Sequence, residues 1–137
     1  MAKNQLVLVD TCVFVELLRK NDTLLNRIER AFLEIGQGNI AVNSIIEAEI
    51  YRGAANRREL RLLTGTFSTF TKLGLDGSVE RVFLELIAKY TLSHKIHIAD
   101  ALIAATALAH SIPLYTFNVK DFNFISGLKL YVNQSPS

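Results

Sequence analysis

Short apolar runs alternate along this chain with longer stretches in which apolar residues return every three or four positions. The run at 6–9, Leu-Val-Leu-Val, is continuous and bounded by polar residues, which predicts a strand buried on both faces. Residues 39–42, 72–75 and 113–117 read similarly, and 128–132 is a candidate edge strand. Helical spacing covers 13–19, 22–35, 45–53, 57–70, 78–92 and 98–110. In 22–35 the repeat is carried by Leu25, Ile28, Phe32 and Ile35; in 78–92 by Val82, Leu86 and Tyr90. The 98–110 segment is apolar nearly all round and should be buried on most sides. Such alternation predicts an α/β fold with a mainly parallel sheet of four to five strands, joined by right-handed crossovers and covered on both faces. One domain spans 1–137 on this reading, with its core at about 6–132. Ligands in such folds bind outside the carboxyl ends of the strands, near a switch in strand order.

Four acidic residues fall where that rule directs attention. Asp10 closes the first strand and could simply cap the helix that follows. Of the two glutamates in 44–53, Glu47 forms an S-x-x-E capping box with Ser44. Glu49 has no such role. At about 100° per residue it shares the arc of Ile46 and Ile50, which predicts a core-facing carboxylate that must be paired, protonated or metal-bound. Asp100 opens the most apolar helix, where the helix dipole would favour it. Asp121 follows the fourth strand, in a turn that Asn118 should cap. Brought to one sheet edge, four carboxylates repel one another unless a cation offsets them. Oxygen ligands alone suit Mg²⁺ or Mn²⁺, and the implied chemistry is attack of water on a phosphodiester.

Composition narrows the setting. Lys and Arg number 15 against 13 Asp and Glu, which excludes a polybasic or acidic tail. Setting the four acids aside leaves a mildly basic remainder around an acidic pocket. A single cysteine, Cys12, permits no internal disulfide and no multi-cysteine zinc site, and favours a cytoplasmic protein. The longest apolar stretch is too short and too interrupted to cross a membrane.

The segments Val7-Leu-Val-Asp10-Thr11, Ala48-Glu49-Ile50-Tyr-Arg-Gly53-Ala54, Ile98-Ala-Asp100-Ala-Leu-Ile-Ala-Ala and Thr116-Phe-Asn118-Val-Lys-Asp121-Phe122 together resemble PIN-domain ribonucleases. Within that family the chain is most similar to the VapC toxins of toxin–antitoxin pairs. The resemblance implies a three-layer α/β/α fold and a Mg²⁺- or Mn²⁺-dependent endoribonuclease leaving a 5′-phosphate and a 3′-hydroxyl. It also implies a homodimer and a small antitoxin partner. By position it makes Asp10, Glu49, Asp100 and Asp121 the acidic metal-binding set, with Thr11 and Asn118 in support. One departure is Ile46, where the family usually carries a threonine.

Other residues have plainer readings. Arg52, Arg57, Arg58 and Arg61 form a basic cluster that is either a solvated face or a set of RNA phosphate contacts. His94 and His97 lack a third ligand for zinc, and His110 ends the buried helix. Cys12 reads as a packing residue, and Phe67, Phe70, Phe83, Phe117, Phe122 and Phe124 as core or dimer interface. Two alternatives to the ribonuclease are a receiver-like domain phosphorylated on aspartate and a PIN module that binds RNA without cleaving it. The first lacks support at Asp10, which is followed by Thr11-Cys12 rather than by another acid.

Overall fold

The computed structural model describes residues 5–20 and 22–133. Its elements run β1 (Val7–Val9), α1 (Thr11–Arg19), α2 (Asp22–Ile35), β2 (Ile40–Val42), α3 (Ser44–Arg52), α4 (Arg57–Phe67), β3 (Thr71–Lys72), α5 (Gly77–His94), α6 (Ile98–Ala109) and β4 (Leu114–Tyr115). Short 3₁₀ turns occupy Gln37–Asn39 and Val119–Asp121. The four strands form one parallel sheet in the order β3-β2-β1-β4. The first two crossovers step one way across the sheet and the third returns past β1. Right-handed connections therefore place α1–α4 on one face and α5–α6 on the other, the three-layer arrangement expected.

The core forms where the apolar pattern requires it. Every residue of β1 and β2 is buried, as are Ala101, Ile103, Ala104, Ala105, Thr106 and Ala107 of α6. Alanine lets that helix lie close against its neighbours at little loss of side-chain entropy. On the other side Phe14 packs within 4.7 Å of Phe67 and 5.6 Å of Phe70, ring centroid to centroid, and Tyr51 meets Phe67 at 5.9 Å. Phe67 and Phe122 are thus core residues rather than surface platforms.

Several boundaries differ from expectation. Helix α1 begins at Thr11, two residues before 13–19, because Asp10 caps it. Helix α4 stops at Phe67 rather than at 70, and the last two strands contract to two residues each. The edge strand at 128–132 is reduced to a single parallel bridge between Leu114 and Leu130. Only the Leu114 amide and carbonyl reach across, to Lys129 and Tyr131, so no ladder propagates.

The capping box at α3 is a further correction. The cap is Asn43, whose Oδ1 accepts from the Ile46 amide at 3.0 Å, and Ser44 is the first helical residue. The buried Asn43 side chain also donates to Thr106 Oγ1 at 2.9 Å, so α6 decides which of two adjacent cap formers is used. Glu47 accordingly turns elsewhere, accepting from Tyr51 Oη at 2.6 Å and pairing with Lys72 Nζ at 2.7 Å.

Removing the Asn43 side chain takes away a cap and the donor to the buried Thr106 hydroxyl, which keeps its own bond to the Leu102 carbonyl. Asn43→Ala should lower stability by about 2 kcal/mol, seen as a lower urea midpoint at unchanged slope. An unaltered midpoint would show that the α3–α6 link contributes nothing.

Candidate active site

Strand β1 lies between β2, which follows it, and β4, which returns from the far end of the chain, so the switch point falls between β1 and β4. The register pairs Val9 with Tyr115, and the Asp10 amide donates to the Tyr115 carbonyl at 2.9 Å. Asp10 and Thr116 are therefore neighbours where the two strands end. Asp10 is 4 % exposed. Its Oδ1 accepts from the Thr11 amide at 2.7 Å and its Oδ2 from Thr116 Oγ1 at 2.8 Å, with Cys12 Sγ at 3.5 Å. Burial pushes the carboxyl above its ordinary value, these donors pull it back, and the charge of Glu49 adds to the upward push.

Thr11 links that strand end to α3, its Oγ1 donating to Glu49 Oε1 at 2.5 Å. Glu49 itself is exposed, contrary to the core-facing position expected. Ile46 and Ile50 are the buried residues of α3, and Glu49 stands at the edge of their stripe, facing water. Ile46, where the family usually has threonine, is wholly buried, so its side chain serves the core.

Asp100, in the first turn of α6, is half-buried. Burial raises its carboxyl to about 6, reinforced by Asp121 and Asp10, opposed by His97, and reinforced again by Glu49. Asp100 therefore feels the charge of each of the other three predicted acids. Asp121 is exposed at the end of the Val119–Asp121 turn. Asn118 precedes that turn but does not cap it with its side chain, because its own carbonyl accepts from the Asp121 amide at 3.0 Å. Its amide instead donates to Thr116 Oγ1 at 3.0 Å.

Among the described residues none of the four acids has a lysine or arginine partner within ion-pair distance. The four also do not make a finished cage: no three metal-ligating side chains among the described residues converge closely enough to hold an ion by themselves. The donor set still fits a hard divalent cation, which binds through one or two carboxylates and keeps several waters. Arg52, Arg57, Arg58 and Arg61 are all exposed, at the end of α3 and in the first turns of α4. His94 and His97 form no zinc site, and Cys12 packs beside Asp10, Thr116 and the Phe117 amide. A cavity of about 890 Å³ lies at the opposite end of β1, near Val7 and Pro113, and none of the acids lines it.

Thr116 is the residue that sequence reasoning passed over. It accepts one bond, donates another and touches Cys12 Sγ at 3.4 Å, all around Asp10. Its signal was a threonine at the end of a strand, which gains meaning only once that strand is paired with β1.

A helix-covered parallel sheet with carboxylates gathered past its strand ends defines an α/β domain with an acidic site. Residues 7–125 match the model of the PIN domain, and the chain belongs to that family, not to receiver-like signalling domains. Solved relatives include a toxin–antitoxin complex from Klebsiella pneumoniae, 27 % identical over 89 % of this chain and 94 % of that one, with a TM-score of 0.73. FitAcB from Neisseria gonorrhoeae is 25 % identical over 93 % and 98 % of the two chains, with a TM-score of 0.72. A DNA-bound VapBC from Salmonella typhimurium shares the fold at a TM-score of 0.74, with 20 % identity over 93 % and 97 %. No curated protein matches the sequence.

The raised Asp100 value has a testable consequence. Below about pH 4 this carboxyl is protonated whether the chain is folded or not. As pH rises from about 4 to about 6 the unfolded chain ionises first, so folding stability falls, and the full loss persists above that range. In EDTA, Asp100→Asn should therefore melt higher than the parent at neutral pH, with the difference shrinking towards pH 4. A pH-independent difference would remove the assigned cause.

Proposed function

We propose that this chain is a metal-dependent endoribonuclease and the toxin of a toxin–antitoxin pair. The observation that carries the reading is the gathering of Asp10, Glu49 and Asp121 close enough to Asp100 to raise its carboxyl, with no lysine or arginine within ion-pair distance of any of the four among the described residues. Membership of the PIN family and the likeness to the Klebsiella toxin–antitoxin complex support the toxin role and a small antitoxin partner. The basic remainder of the surface supports RNA as substrate.

A bound Mg²⁺ or Mn²⁺ would supply the missing positive charge and polarise water and phosphodiester together. The residues of the chain prepare the place for it. Asp10 presents a carboxylate held by the Thr11 amide and Thr116 Oγ1, so its orientation is set before any ligand arrives. Glu49 is steered towards Asp10 by Thr11. Asp100, at about 6, is mostly ionised at neutral pH and gives up its remaining protons when positive charge enters. Asp121 adds its negative charge to the field at Asp100.

Asp10→Asn should reduce Mg²⁺- or Mn²⁺-dependent cleavage of structured RNAs by at least about 100-fold. Equal cleavage by the two proteins would defeat the assignment. Thr116→Val leaves every acid in place and should lose about 10- to 100-fold, the usual effect of freeing a ligand from its support. For the toxin role, expression of the unaltered chain in bacteria should arrest growth and Asp10→Asn should not. Normal growth under both would leave a ribonuclease that is no toxin.

A further inference from the structure

The end of α5, the start of α6 and the Val119–Asp121 turn enclose a recess of about 140 Å³. Lys95, Lys120, His94 and Phe124 line it together with Asp100 and Asp121. We propose that this recess is an RNA phosphate subsite, holding the backbone phosphate next to the one brought to the acids. The proposal rests on the ribonuclease reading above and assigns the residues that set how the strand lies across the site.

Shared walls give the first reason. Asp100 and Asp121 belong both to the acidic cluster and to the recess, so an occupant of the recess adjoins whatever the acids hold. Charge gives the second. Among the described residues neither Lys95 nor Lys120 forms an ion pair, although each shares the recess with two carboxylates. Two free ammonium groups beside a site for a polyanion attract phosphate without reading sequence.

Lys95 stands at the C-terminal end of α5, where a cation suits the helix dipole, and Lys20 ends α1 in the same way. Lys95 ends its helix in the left-handed conformation, φ 51° and ψ 48°, where glycine or asparagine is less strained. At the other lip, His97 precedes α6 without making a side-chain cap, which leaves the amides of that helix's first turn available to an anion. Size agrees with the assignment. At about 140 Å³ the recess is smaller than the roughly 300 Å³ of pockets that engulf whole small molecules, and it suits a phosphate with its water.

The rim also provides for the attached base. The exposed His94 ring stacks on Phe124 at 4.0 Å with 10° between planes. Single-stranded RNA stacks its bases on such rings. Arg52, Arg57, Arg58 and Arg61 do not line this recess, which makes Lys95 and Lys120 the better candidates for holding phosphate near the acids.

The test uses the full chain in an Asp10→Asn background, so that RNA is bound but not cut. Affinity for a fluorescein-labelled single-stranded oligoribonucleotide is followed by anisotropy across a salt series in Mg²⁺. The pair Lys95→Asn and Lys120→Gln, chosen because asparagine tolerates the left-handed backbone, should weaken binding about tenfold or more. It should also flatten the plot of log K against log salt by about 0.7 for each phosphate that is no longer neutralised. His94→Ala should weaken binding several-fold at unchanged slope, since stacking releases no counterions. RNA bound by the lysine variant with the parent slope overturns the subsite and leaves the ribonuclease reading standing. No RNA binding by the Asp10→Asn parent, together with no cleavage by the unaltered chain, overturns that reading and the subsite with it.

Discussion

The pairing of β1 with β4 is the constraint from which the acidic end of this molecule follows. Val9 opposite Tyr115 brings Asp10 beside Thr116, and the Asp10 amide is already engaged with the Tyr115 carbonyl. The carboxylate can then be buried, because a backbone amide and a hydroxyl meet its two oxygens. A slip of one residue would turn every side chain of β1 to the opposite face and take Asp10 out of reach of both. The uniformly apolar triplet Val7–Val9 would accept either face, so the register is held by Asp10, whose buried carboxylate loses its Thr116 donor on a slip.

Around that anchor the remaining acids arrive from separate elements, each for a local reason. Asp100 enters in the first turn of α6, where the helix dipole favours negative charge. That help is outweighed by burial and by the other carboxylates, which is why its proton is held so long. Glu49 comes from the water-facing edge of α3 and Asp121 from a turn. The fold therefore accepts electrostatic repulsion at one end of the sheet, while well-packed cores beneath α1 and α6 hold the elements together.

Much of this was legible in the amino-acid sequence, and the parts that were not share a cause. The buried strands and the all-round apolar helix α6 follow from local patterns, as do Asp10 and Asp100 at element starts. Whatever depended on a distant partner could not be read locally. Asn43 won over Ser44 as the cap because Thr106, on another helix, binds its amide. Thr116 acquired a role only through β1. The wheel placed Glu49 inward and Glu47 outward, but Glu49 is exposed and Glu47 half-buried, since a nine-residue helix with two buried isoleucines leaves its flanking positions open to water. The four candidate acids could be read from the sequence, whereas the Thr116 and Thr11 hydroxyls that hold Asp10 and Glu49 appear only in the fold.

The unequal fixing of those acids bears on ion discrimination. Asp10 is clamped by its neighbours and Glu49 is tied on one oxygen by Thr11, whereas Asp121 stands in solvent. A rigid ring of oxygens selects a cation by radius, since Mg²⁺ demands about 2.0–2.1 Å and Ca²⁺ settles at about 2.3–2.6 Å. On the proposed reading, one fixed carboxylate facing exposed ones would exert little such choice. Ions of different radius would find ligands that shift to meet them, so preference among them falls to the ease with which each sheds its water.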